Sequence, residues 1–86
     1  MKVIVGERVT LRFEVTNIEG NDFTINNAQY TTEISGAVES SGAMTIDGYE
    51  LSFLFNPLKA GIYMISVMYD IGTDRRIGRF QVEVVE

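Results

Sequence analysis

Apolar and polar residues alternate along much of this chain. From Val9 to Thr16 every second residue is apolar, and the residues between them are polar or charged. Successive side chains of a β-strand point to opposite faces of a sheet, so this period of two predicts a strand with one buried face. The pattern recurs over Ala28–Ile34, Tyr49–Phe55 and Ile77–Val85. No window shows the spacing of an amphipathic helix, and the chain is therefore predicted to be all-β.

Turn signals separate the predicted strands. Asp47-Gly48 is a typical hairpin dipeptide, because both central positions of such a turn need positive φ. The segment Ser35–Gly42 is small and polar, which predicts a loop or a ragged sheet edge. About seven strands joined by short antiparallel connections are typical of a β-sandwich. We expect a single domain of this kind over residues 1–86.

The alternation also leaves apolar residues on the face expected to meet solvent. If Tyr63 and Val67 face the core, Met64 and Met68 point outward from the same strand. Leu54 points outward from another strand, unless a bulge turns it inward. A contiguous apolar patch often marks an interface, although long arginine side chains can also cover such residues. We expect Met64, Met68 and Leu54 to contribute to a protein interface.

Composition removes several classes of chemistry. The chain of 86 residues contains no His, Cys or Trp. Disulfides, thiolate or imidazole catalysis and the usual zinc sites are therefore excluded, and we expect neither an enzyme nor a cofactor. The net charge is −5, with basic residues clustered only at Arg75, Arg76 and Arg79, so nucleic acid is not an expected partner. The chain also lacks an apolar run of membrane-spanning length.

The stretch Leu58–Val67 resembles the turn into the sixth strand of immunoglobulin-like domains. In that family a tyrosine near the start of this strand bonds back to the turn, an arrangement called the tyrosine corner. The resemblance makes Tyr63 the corner tyrosine and Gly61 the residue that lets the chain bend. Without disulfide or tryptophan, the chain resembles the cysteine-free immunoglobulin-like modules of bacteriophage structural proteins and bacterial surface proteins. This resemblance implies an immunoglobulin-like antiparallel β-sandwich.

Two functions remain open at this level. The first is a non-enzymatic structural or interaction module, such as a (pro)phage virion component, that assembles through protein contacts. The N-terminus of the chain lacks the apolar run of a secretory signal, so we expect cytoplasmic synthesis. The alternative is a ligand-binding module for carbohydrate or Ca²⁺, since the resemblance gathers acidic loops at one end. Those loops carry Glu19, Asn21, Asp22, Asp47, Asp70 and Asp74, although ordinary turn chemistry also explains them.

Overall fold

The alternating segments form β-strands in the protein, which is represented by a computed structural model that describes residues 1–16 and 22–86. Among the described residues, no helix is long and apolar enough to span a membrane. The strands of this part of the chain are β1 (Lys2–Ile4), β2 (Val9–Glu14), β3 (Ile25–Ile34), β4 (Ala37–Ala43), β5 (Thr45–Asp47), β6 (Glu50–Phe55), β7 (Gly61–Ile71) and β8 (Asp74–Val85).

The strands form two sheets that pack face to face. The larger sheet has the order β1-β8-β7-β3-β4, and the smaller has the order β2-β6-β5. All neighbours are antiparallel except β1 and β8, which run parallel. The structure is therefore all-β, as the alternation predicted, with two packed layers that bury one face of each sheet.

Aromatic side chains join the two sheets. Phe53 stacks on Tyr30 of the opposite sheet with a centroid distance of 4.0 Å. Phe13 of β2 lies 4.8 Å from Phe80 of β8, which places β2 over the β8 side of the larger sheet. The alternation predicted over Tyr49–Phe55 gives β6 one buried face, since Leu51, Phe53 and Phe55 are all buried. Such pairs add specific geometry to the burial of apolar area.

Of the two interpretations of Ser35–Gly42, a loop or a sheet edge, the structure shows the sheet edge. From Ala37 it forms β4, which pairs with β3 at one edge of the larger sheet. Nearly every β4 residue is exposed, so this strand buries no apolar face and has no alternation to detect. The chain changes sheets after β4. At Met44 the chain leaves the larger sheet and enters the smaller one as β5.

One edge of the larger sheet is only partly closed. The short β1 lies beside the last residues of β8, with Lys2 opposite Glu83 and Ile4 opposite Val85. No other described strand lies beyond β8, so its residues 74–82 have a partner only on the β7 side. The smaller sheet ends at β2 on this same side of the sandwich. Two strand edges therefore lie near each other along one flank.

Candidate interaction site

Tyr63 anchors the turn between β6 and β7. Its side chain is fully buried, and its ring packs edge-on against Phe55 at 5.3 Å. The backbone N–H of Lys59 donates to the Tyr63 hydroxyl at 3.3 Å, so the hydroxyl reaches back to the turn. Gly61 has a φ of 144°, and a Cβ there would lie 3.1 Å from Ile34 Cδ1. Glycine suits this bend because it adopts a positive φ without strain and has no Cβ to crowd the Ile34 side chain.

The Tyr63 hydroxyl has a second partner that the sequence did not indicate. It donates to Glu39 Oε2 at 2.5 Å. The β3–β4 register pairs Thr32 with Ser40 and Glu33 with Val38, so Glu39 is the extra residue of a β-bulge. A bulge re-aims a side chain, which accounts for a glutamate pointing toward a buried hydroxyl. Burial, and then the bond to Glu39, raise the pKa of Tyr63.

Met64 and Met68 lie on the outer face of the larger sheet, on its central strand. Both are half-buried. Met68 is opposite Ile77, which is 58% exposed, whereas Met64 lies between Gln81 and Glu33. Ile62, which is 54% exposed, lies on the same outer face two residues before Met64, so the apolar residues of this face run along β7 from Ile62 to the Met68–Ile77 pair.

Leu54 does not join this surface. It is 55% exposed, so no bulge turns it inward. Its register partner is Thr10 of β2, on the outer face of the smaller sheet. That face is on the other side of the sandwich from Met64 and Met68. The sequence-predicted interface residues therefore fall on two separate surfaces.

A groove opens between the sheets along the flank where β2 and β8 have free edges. Its volume is about 240 Å³. Apolar side chains form most of its wall, with Glu14 as its carboxylate. Gly78 lies on the inner face of β8, and a Cβ there would meet no atom within 4 Å. The groove is lined by Phe13, Glu14, Val15, Thr16, Leu51, Val67, Tyr69, Gly78 and Phe80.

The edge of β8 presents main-chain groups beside this groove. The N–H of Glu83 donates to Met1 O, and Val85 O accepts from Val5, so both residues direct their polar groups away from β7. These directions alternate along a strand, and the β7–β8 register is continuous. The same orientation therefore holds for Arg75, Ile77, Arg79 and Gln81.

The arginines of β8 place positive charges on this flank, and Glu14 contributes a negative charge to the groove wall. Arg75 donates to Asp70 at 3.0 Å, and this bond lowers the pKa of the Asp70 carboxyl. Arg79 is on the outer face opposite Ser66, whereas Arg76 is on the inner face opposite Tyr69. Neither Arg76 nor Arg79 pairs with a carboxylate of the described residues. Their charges are thus available to a partner that carries acids.

The acidic loops do not assemble a metal site in the part of the chain that the structure describes. No group of three or more acidic side chains with metal-binding proximity occurs there. Asp70 is engaged by Arg75, and Asp22 accepts from the Tyr49 hydroxyl at 3.4 Å. Glu19 and Asn21, which were candidates for this cluster, lie outside the described residues.

Comparison with known proteins gives the fold a context. No family model and no curated protein sequence matches the chain. An engineered protein has a similar structure, with a TM-score of 0.77, 15% identity, and coverage of 99% of this chain and 18% of that chain. A Bacteroides vulgatus protein described as a "putative glycoside hydrolase" is also similar, with a TM-score of 0.62, 25% identity, and coverage of 99% and 16%. The chain therefore spans less than a fifth of either protein.

Proposed function

We propose that this chain is a non-catalytic, immunoglobulin-like module that assembles with other protein chains through the outer face of its larger sheet. The observation that carries the proposal is the pair of half-buried Met68 and exposed Ile77 on that face, with Met64 on the same strand. Exposed apolar clusters rimmed by polar residues are common at protein interfaces. Assembly into a (pro)phage virion is the form of this proposal that the sequence resemblance favours.

The strand order supports an immunoglobulin-like topology. The larger sheet pairs β8, β7 and β3, and the smaller pairs β2, β6 and β5. These match the G, F and C strands and the B, E and D strands of the immunoglobulin plan, with β4 as an added strand beside C. Both similar solved structures carry this fold as one part of a much longer chain, which suits a module.

The groove chemistry favours binding over catalysis. Among the described residues, Glu14 is the carboxylate that lines it. Glycoside hydrolysis ordinarily uses two carboxyl groups that flank the scissile bond. The wall is otherwise apolar apart from Thr16 and the Tyr69 hydroxyl, which suits the burial of an apolar side chain.

Size-exclusion chromatography with light scattering over a wide range of concentration tests this proposal. We expect an oligomer that the double variant Met64→Glu/Met68→Glu converts to monomer, with an unchanged β-type circular dichroism spectrum. Leu54→Glu is the control, because it places a glutamate at an exposed apolar position on the opposite side of the sandwich. An oligomer that survives the double variant contradicts this surface, and a monomer at all concentrations contradicts self-assembly.

A carbohydrate-binding module is a second candidate. Tyr49 is 42% exposed and stacks on Phe23 with a centroid distance of 4.4 Å, which gives an aromatic platform near the β5–β6 turn. Sugar rings stack on such platforms in many binding modules. Affinity electrophoresis through gels with soluble polysaccharides, comparing wild type with Tyr49→Ala, tests this candidate. Retardation that Tyr49→Ala abolishes would favour it, and equal mobility in every gel would remove it.

A further inference from the structure

We propose that the open edge of β8 binds an extended acidic peptide segment of a partner protein as an added β-strand. The site comprises the edge of residues 75–81 and the groove between this edge and β2. This inference rests on the proposed function only in that the chain is an interaction module. It uses the main-chain edge and inner face of β8, whereas the proposed function uses outer-face side chains, and Ile77 is the residue common to both.

The main-chain groups of β8 supply the first part of the site. Arg75, Ile77, Arg79 and Gln81 direct their N–H and C=O groups away from β7. No backbone group of the described residues bonds to them. An extended peptide can satisfy these groups in one register, as β1 already does at Glu83 and Val85.

The groove supplies a place for the side chains of the added strand. Alternate residues of such a strand point inward beside Arg76, Gly78 and Phe80, which are the inner-face residues of β8. At Gly78 the missing side chain leaves open space, so a branched aliphatic side chain of the peptide fits there. Phe13 and Val67 give that side chain apolar contacts in the groove.

Charge selects the kind of peptide. Arg76 and Arg79 lie on the two faces of the open edge, and neither has a carboxylate partner among the described residues. A second copy of this chain is a poor occupant, since antiparallel pairing of two β8 edges brings arginines close to arginines. Alternating Asp or Glu with Val or Ile puts the aliphatic side chains in the groove and the acids beside Arg79 on the outer face, away from Glu14.

The test titrates the protein with a synthetic peptide of about seven residues, acetyl-Glu-Val-Asp-Ile-Glu-Val-Asp-amide, which is the length of a short strand. Binding is followed by fluorescence anisotropy of a labelled peptide and by amide NMR shifts. We expect the largest shifts at Ile77, Arg79 and Gln81. The same peptide with N-methyl groups on the alternate amides that face β8 should not bind, because it cannot donate to the edge.

Two protein variants test the groove and the charge. Gly78→Ile fills the groove, and we expect at least about tenfold weaker binding, the scale for losing one apolar contact in a pocket. Thr45→Ile is its control, since it adds the same side chain at the opposite edge of the smaller sheet. Arg79→Glu should weaken binding about fivefold, and added salt should reduce that difference.

The outcomes separate this inference from the proposed function. Shifts at the β8 edge that persist in Met64→Glu/Met68→Glu support the edge site independently of the outer face. Equal binding of the N-methylated peptide, or no binding by wild type, overturns the inference. In that case the β8 arginines serve only to protect the edge against strand pairing. Loss of the oligomer in the methionine double variant would still support the proposed function.

Discussion

Removal of the Tyr63 hydroxyl separates its hydrogen bonds from the packing of its ring. Tyr63→Phe keeps the edge-on contact with Phe55 and deletes the bonds to Lys59 N and Glu39 Oε2. A hydrogen bond to a charged group contributes about 1.5–3 kcal/mol to stability. Glu39 is half-buried and partly regains water in the variant, so we expect a loss near the lower end, about 1.5–2 kcal/mol.

Urea unfolding at neutral pH, followed by circular dichroism, measures this loss. In thermal unfolding followed by the same signal, the melting temperature should fall by about 6–16 °C, at roughly 4–8 °C per kcal/mol for a domain of this size. Tyr30→Phe is the control, because the Tyr30 hydroxyl makes no hydrogen bond to the described residues and its ring still stacks on Phe53. A Tyr63→Phe loss no larger than that of Tyr30→Phe would refute the reasoning.

The alkaline pH dependence gives a second measure of the same contact. The pKa of Tyr63 is raised above its ordinary value of 10.0 in the folded protein. Below that value both folded and unfolded chains hold the proton, so the contribution to stability is complete. As the pH rises from 10.0 toward the folded pKa, the unfolded chain ionises first and the contribution declines. The stability difference between wild type and Tyr63→Phe should therefore shrink above pH 10.0, and a constant difference contradicts the raised pKa.

Three further predictions concern the fold. Gly61→Ala should lower the unfolding free energy by about 1–3 kcal/mol in urea titrations, because it strains a positive φ and crowds Ile34; an effect below that of an exposed alanine substitution contradicts this. Thr32→Val should cost about 0.5–1.5 kcal/mol in the same assay, since the buried hydroxyl bonds to Ser40 Oγ at 2.8 Å; unchanged stability would show that bond to be neutral. The Asp70 carboxylate stabilises the fold above its ordinary pKa of 3.8, and this contribution is lost as the pH falls through the lowered pKa of the folded protein. NMR titration should therefore place the Asp70 midpoint below 3.8, and Arg75→Gln should raise that midpoint.

Local alternation predicted which residues face the core but not how the strands are ordered. Leu51, Phe53 and Phe55 are buried as expected, because side-chain direction in a strand depends only on position along it. The outward directions of Met68 and Leu54 followed from the same rule. That these residues lie on opposite faces of the sandwich depends on which sheet each strand joins, and that pairing is long-range.

The missed features share a physical cause. β4 is an edge strand with almost no buried residue, so nothing constrains it to alternate. Glu39 reaches Tyr63 because a bulge breaks the period of two, and no local signal marks that break. The edge of β8 is open because β1 pairs only with its last residues. That pairing joins the two ends of the chain, so the pattern within either strand does not indicate it.

The distance between Tyr63 and the β8 groove makes stability and binding separable. Gly78 is opposite Val67, which lies four residues from Tyr63 on the same face of β7, or about 13 Å along a strand. Substitutions so far apart and without shared partners usually act additively. Tyr63→Phe should therefore lower stability and leave peptide affinity unchanged. Gly78→Ile should leave stability unchanged and weaken peptide binding. A double variant that shows both losses at their single-variant sizes would show that the Tyr63 hydroxyl and the Gly78 groove act independently, and strong non-additivity would show that the β7–β8 hairpin couples them.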